Sequence, residues 1–208
     1  MASSRRLLYV VDPMCSWCFG FAPALAAARA ELAGDVELEL VAGGLAPDSD
    51  EPMDAATRRY VQGAWHAVTE RTGVAFDHRF WERCQPRRST YPACRAMVLA
   101  REAGQGEAML AAIQGAYYRE ARNPSDVAVL ADLAGGLGLD AEAFAEALVG
   151  ERAEVLLQAD LTRARALGAT SFPSLGLAEG DRERLLASGC LDATELRRVL
   201  GTAGLLAD

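Results

Sequence analysis

Residues 7 to 42 read as strand, helix, strand, and that order limits the folds open to the chain more than any other feature. Leu7-Leu8-Tyr9-Val10-Val11 is a continuous apolar run of β-formers, as expected of a buried parallel strand, and Asp12-Pro13 ends it. From Cys15 to Leu32 the apolar residues Phe21, Leu25, Ala28 and Leu32 recur at steps of four, three and four, the stripe of a helix. Val36-Glu37-Leu38-Glu39-Leu40-Val41-Ala42 alternates and then turns apolar, a second strand closed by Gly43-Gly44. The three elements predict a βαβ unit with parallel strands and a right-handed crossover.

Between residues 50 and 170 only helical periodicity is present. Met53, Ala56, Tyr60, Ala64 and Val68 form one stripe; Ala93, Met97 and Ala100 form another, entered through Pro92 at a first-turn position; Met109, Ile113 and Tyr117 form a third. Asn123-Pro124-Ser125-Asp126 leads into Val127, Leu130, Leu133 and Leu137, Asp140 caps a short helix carrying Phe144 and Leu148, and a long helix is expected over 152–167. β character returns at Ser174-Leu175-Gly176-Leu177-Ala178, and a polar turn over 179–183 leads to Arg184-Leu185-Leu186-Ala187-Ser188, a hairpin. Asp192-Ala193-Thr194-Glu195 has capping-box spacing ahead of Leu196, Val199 and Leu200. The expected order is βαβ, a block of helices, then ββα.

A chain of 208 residues can bury a sizeable core without disulfide staples. No apolar run approaches the roughly 20 residues needed to cross a bilayer, so membrane association is not expected. The start of the chain resembles a signal peptide only briefly: its apolar core, Leu7 to Val11, is short of the roughly 7 to 15 residues required, and no small-residue cleavage site precedes the cysteines. The chain is therefore read as cytoplasmic. A formal charge of −8 disfavours binding to a phosphate backbone, so nucleic acid is not an expected partner. All basic residues are arginine and none is lysine, which excludes Schiff-base chemistry.

The chemistry concentrates in Asp12-Pro13-Met14-Cys15-Ser16-Trp17-Cys18. In a reducing cytosol a CxxC is a catalytic or metal-binding device rather than a staple, and the odd count of five cysteines argues against a disulfide framework. A cysteine at a helix start meets unpaired N–H groups and the positive end of the helix dipole, which favour thiolate, so Cys15 is the better-placed nucleophile. Cys18 lies on the same face, where it can attack a mixed disulfide formed at Cys15. Ser16 leaves the turn unconstrained and Trp17 offers an apolar surface beside the sulfur. Two other readings stay open: both cysteines can simply pack, or they can be half of a zinc site. For zinc, the remaining candidates Cys84, Cys94, Cys190, His66 and His78 supply no second closely spaced pair.

Together, YVVDPMCSWCFGFAP, RRSTYPACRA at 87–96 and ARALGATSFPSLGL at 164–177 resemble the DsbA family of thioredoxin-fold thiol–disulfide oxidoreductases, within it a cytoplasmic subgroup described as predicted protein-disulfide isomerases. The resemblance covers essentially the whole chain. It implies an α/β thioredoxin fold with a large all-helical insertion: residues 1–50 and 151–208 as one discontinuous domain, and 51–150 inserted. It also implies Cys15 as nucleophile, Cys18 as resolving thiol, and Pro173 as a cis-proline beside them, turning the Phe172 backbone outward to pair with a substrate strand. Ser16, Trp17, Phe172 and Pro173 then border the substrate groove. No bound cofactor or metal is implied. The expected partners are a disulfide- or thiol-containing polypeptide or a small thiol such as glutathione. Pro23 sits where thioredoxins often carry a kinking proline. Ser16-Trp17 is neither the Pro-His nor the Gly-Pro of better-known relatives, so a strongly oxidising pair is not implied.

Around these residues, Arg83, Arg87, Arg88 and Arg95 offer paired donors for a substrate carboxylate, or a solvated helix entry. Cys84 and Cys94 read as core thiols rather than a second redox pair, Cys190 as packing, and Trp65, Trp81, Tyr117 and Tyr118 as core. His66 and His78 read as surface or capping residues. Asp12 is a candidate proton acceptor for Cys18, or merely the turn former that ends its strand. Two alternatives to the disulfide chemistry are carried forward. One is a glutathione-dependent transferase or isomerase of the kappa-class or 2-hydroxychromene-2-carboxylate isomerase type, which has no need of Cys18. The other is a non-catalytic or zinc-loaded binding module.

Overall fold

Alternation and burial place the strands as the sequence leads one to expect. The computed structural model describes residues 5–207. Met1 to Ser4, where the signal-peptide reading begins, and Asp208 at the end of the 151–208 segment lie outside the described residues. β1 (Arg5–Val11) pairs in parallel with β2 (Val36–Ala42), with Leu7 opposite Leu38 and Val11 opposite Ala42. α1 (Ser16–Arg29) is the crossover between them. β3 (Ser174–Glu179) runs antiparallel to β1, and β4 (Arg182–Ser188) antiparallel to β3, giving the sheet order β2-β1-β3-β4. β1 is central, and its last five residues are buried, which is why it reads as a continuous apolar run.

Seven helices lie between β2 and β3: α2 (Ala55–Thr72), α3 (Phe80–Arg83), α4 (Tyr91–Glu102), α5 (Gly106–Arg119), α6 (Val127–Gly136), α7 (Ala141–Leu148) and α8 (Glu151–Ala166). α9 (Ala193–Thr202) closes the fold, started by the expected capping box of Asp192 and Glu195. Pro92 enters α4 in its first turn, and the Asp140 carboxylate accepts from the amides of Glu142 and Ala143 at the start of α7.

One stripe is corrected. On α2 the buried residues are Trp65 and Val68, while Ala56 and Tyr60 face solvent. The apolar face instead runs Val61, Trp65, Val68, because the large indole takes the inner position and the phenol of Tyr60 keeps its water. Leu32 likewise falls beyond α1, in an isolated bridge with Leu206.

The main core joins sheet and helices. Leu7, Tyr9, Val11, Leu40, Leu175 and Leu177 from the strands pack with Cys15, Cys18 and Phe21 of the α1 region and with Cys94, Met97 and Leu161 of α4 and α8. Asp160 of α8, buried, fixes this junction: its carboxylate accepts from the Ala42 amide at 2.7 Å and from Arg101 at 2.8 and 3.0 Å, and Arg101 also donates to the Leu40 carbonyl. A separate aromatic cluster of Phe19, Trp65, Phe80, Trp81, Tyr117 and Tyr118 lies beside the first turns of α1.

Candidate active site

The turn after β1 is built by one carboxylate. Asp12 accepts from the Met14 amide through Oδ1 at 2.8 Å, its carbonyl accepts from the Cys15 amide at 3.0 Å, and Cys15 becomes the N-cap of α1 in extended conformation. The chain thus enters the helix with Cys15 at its mouth and Cys18 in its first turn. Both are free thiols; Cys15 is 5% exposed and Cys18 fully buried. Tyr9 reaches from β1 and its hydroxyl donates to the Cys18 carbonyl at 3.4 Å. Pro23 is accommodated within α1.

Across from this mouth lies the loop before β3. The Phe172–Pro173 bond is cis, and the Cys15 thiol donates to the Phe172 carbonyl at 3.6 Å. The Phe172 ring fills the space that a side chain at residue 43 would need: a Cβ on Gly43 would stand 2.6 Å from its Cζ. Trp17, Phe172 and Tyr91, all half-buried, pack against the core cluster that includes both thiols, while Ser16 is buried. The structure therefore brings together Cys15, Cys18, Ser16, Trp17, Phe172 and Pro173 from opposite ends of the chain.

Burial dominates the electrostatics. It pushes the Cys18 thiol far above the ordinary thiol range, and neighbouring Cys15 and the charge of Asp12 push the same way. Burial also raises the Asp12 carboxyl, while hydrogen bonds from Thr90, Leu45, Met14 and Cys94 pull it back down. Asp12 is thus both the turn former and a buried acid next to Cys18. Thr90 donates to its Oδ2 at 2.6 Å, the Leu45 amide at 2.7 Å, and the Cys94 thiol at 3.5 Å. Sequence reasoning missed Thr90, Leu45 and Gly43. Their available signals were the double glycine after β2 and the Ser-Thr pair ahead of the proline-led α4.

The other candidates disperse. Cys84 donates to the Ala121 carbonyl at 3.2 Å and Cys94 to Asp12, so these thiols have separate partners. Cys190, half-buried, packs against the core that holds Cys15 and Cys18. Arg95 is engaged by Asp48 and Glu154, and Arg87 by Asp126 and the Ser125 carbonyl. Exposed Arg83 lines a cavity of about 480 Å³ with Cys84, Arg87 and Arg122. His66 and His78 are exposed and stacked on each other with ring centroids 4.8 Å apart. Among the described residues no group of three or more His, Cys, Asp or Glu stands ready to hold a metal, and no helix is long and apolar enough to cross a membrane.

Residues 6–201 match the model of the DSBA-like thioredoxin domain. The chain belongs to this family. Its fold is that of the DsbA-like thiol–disulfide oxidoreductases. A provisionally assigned protein disulfide isomerase from Nitrosomonas europaea is 30% identical, with 96% of this chain and 97% of that one covered and a TM-score of 0.84. The cytosolic disulfide reductase DsbM from Pseudomonas aeruginosa is 32% identical over 95% of this chain and 98% of its own, with a TM-score of 0.74, and has also been solved with GSH. The ClpXP adapter protein SpxH of Bacillus subtilis is 26% identical over 169 residues; the match takes in 79% of this chain and spans only 55% of SpxH.

Proposed function

We propose that this protein is a thiol–disulfide oxidoreductase in which Cys15 is the nucleophile and Cys18 the resolving thiol. The Cys15 thiolate attacks one sulfur of a substrate disulfide, forming a Cys15–substrate disulfide and releasing the other sulfur as a thiolate that takes up a proton. Cys18 then gives up its proton and attacks the Cys15 sulfur. The products are a Cys15–Cys18 disulfide and the second substrate thiol, so two electrons pass from protein to substrate. Two equivalents of a small thiol such as glutathione return the pair to the reduced form; the reverse sequence oxidises a substrate dithiol.

The observation that carries this reading is the contact of the Cys15 thiol with the Phe172 carbonyl. A thiol donates there and a thiolate does not, so ionising Cys15 frees the carbonyl to accept from an extended substrate strand at the moment the sulfur becomes reactive. Trp17, Phe172 and Pro173 form the apolar border of that groove, with Ser16 behind them. Asp12, buried and with its charge acting on Cys18, is the group we assign to accept the proton that Cys18 must lose.

A small thiol as reductant is supported by the DsbM structure solved with GSH, and Arg83 and Arg88, exposed and free of ion pairs among the described residues, are suited to its carboxylates. Likeness to a cytosolic reductase supports a cytoplasmic location and operation in the reducing direction. We assign residues 1–50 and 151–208 to one discontinuous redox domain and 51–150 to a helical insertion that walls the groove. Replacing Cys15 by serine is expected to abolish reduction of insulin disulfides, and undiminished activity would contradict the mechanism. Cys18→Ser is expected to accumulate the mixed disulfide at Cys15. If it instead kept full activity toward glutathione conjugates, with disulfide exchange absent, the transferase reading would replace this one.

A further inference from the structure

Thr90 stands at the N-cap of α4, in the helical block, yet its side chain reaches the turn that carries the thiols. Its hydroxyl has one proton and gives it to Asp12 Oδ2 at 2.6 Å; the same oxygen accepts from the Ala46 amide at 3.1 Å. The amides of Thr90 and Tyr91 in turn donate to the Ala46 carbonyl at 3.0 and 3.2 Å. Leu45, one residue earlier, donates to Asp12 Oδ2, and Gly43 at the head of the same loop lies against the Phe172 ring. One turn into α4, Cys94 gives a second side-chain donor to Oδ2 at 3.5 Å. The start of α4 is thus linked by hydrogen bonds to both walls of the site: through Asp12 to the Cys15 turn, and through Ala46 to the loop that seats Phe172.

We infer that Thr90, seconded by Cys94, is a positioning residue by which the helical block sets the protonation of Asp12, and through it the readiness of Cys18 to resolve the mixed disulfide. This role rests on the exchange reaction proposed above. A carboxylate holding three or four donors is favoured as the anion, and one stripped of a donor in a dry site takes up a proton more readily. The titratable groups that interact with the Asp12 charge are Cys94 from α4 by a hydrogen bond and, through space, Cys18 from α1 and Tyr117 and Tyr118 from α5. Among the described residues no arginine forms an ion pair with Asp12, so its hydrogen bonds are what hold its charge. While Asp12 is ionised it can accept the proton that Cys18 releases; when neutral it cannot. Thr90 reaches neither thiol in a hydrogen bond, which distinguishes it from the catalytic pair.

The test follows the Asp12 carboxyl by carbon NMR on protein carrying ¹³C-labelled aspartate, in parallel with the pH profile of mixed-disulfide resolution. Asp12→Asn assigns the resonance. Thr90→Val, isosteric but without the hydroxyl, is expected to raise the pH at which Asp12 ionises by about one unit, the tenfold change in proton affinity expected of losing one hydrogen bond to a charged acceptor. The profile of resolution should move by the same amount. Thr90→Ser is expected to restore both, and Cys94→Ala to raise both by less. A fold lost in Thr90→Val leaves the Cys94→Ala and Thr90→Ser comparison to decide. An Asp12 titration unmoved in both Thr90→Val and Cys94→Ala would overturn the role. So would a shifted titration with an unmoved resolution profile in protein that still exchanges disulfides. Failure of wild-type protein to exchange disulfides at all would instead remove the proposed function, a separate and recognisable result.

Discussion

The Cys15 thiol donates to the main-chain carbonyl of Phe172 at 3.6 Å, although the two residues stand 157 positions apart. That contact joins the mouth of α1 to the loop before β3, and its position depends on what stands behind Phe172.

Gly43 is the first determinant. A methyl group there would meet the Phe172 ring at 2.6 and 2.7 Å from two of its carbons. Gly43→Ala is expected to push the ring aside at a cost of about 1–3 kcal/mol in stability. Exchange should slow further than that cost implies, by about 10- to 100-fold, because the groove is displaced relative to the sulfur. Stopped-flow reduction of a small disulfide, set beside a urea titration, separates the two effects. A variant with lowered stability but an unchanged rate would free Phe172 of the positioning role given to it here.

Asp160 is the second. It holds Arg101 and the Ala42 amide together in the buried junction of β2, α4 and α8. Asp160→Ala leaves the Arg101 guanidinium without its carboxylate and the Ala42 amide without an acceptor, and a loss of about 3 kcal/mol is expected, at the low end for a broken buried pair because Arg101 keeps some access to water. The urea midpoint should fall with no change in the pH dependence of exchange.

Burial also gives the reduced protein a sensitivity to alkali. It raises Cys18, Cys94, Tyr9 and Tyr118 well above their unfolded values near 9 for the thiols and 10 for the phenols. Above about pH 9 the unfolded chain therefore releases protons that the folded chain retains, so it binds fewer, and stability falls as pH rises. Urea midpoints of reduced protein should be steady from pH 7 to 8.5 and decline beyond. Oxidation of the Cys15–Cys18 pair, which removes Cys18 from the titration, should reduce the slope.

Much of this was legible in the chain. The strands announced themselves because β1 is buried along most of its length and β2 only toward its end, which is the difference between a continuous apolar run and an alternating one. The cysteine pair and Pro173 were visible through motif and order. On α2 the apolar pattern misled, since Tyr60 counts as apolar by type and stands 69% exposed. α3, at four residues, is shorter than any period can reveal. The supports of the site were the hardest to read. Thr90 and Asp12 lie 78 positions apart, and a polar residue meeting a polar residue inside the core leaves no mark on hydrophobic periodicity. In RRSTYPACRA the arginines carry the visible chemistry, yet Thr90 and Cys94 are the residues of that segment whose side chains hydrogen-bond to Asp12.

The most direct measurement equilibrates the protein with glutathione buffers of graded redox poise, quenches in acid, alkylates the free thiols and maps the disulfides by peptide mass. A single two-electron transition is expected, in which Cys15 and Cys18 become joined to each other while Cys84, Cys94 and Cys190 remain alkylatable; each 30 mV in its midpoint is about 1.4 kcal/mol. A chain in which Cys15 and Cys18 stay reduced and unjoined across the whole range would contradict it.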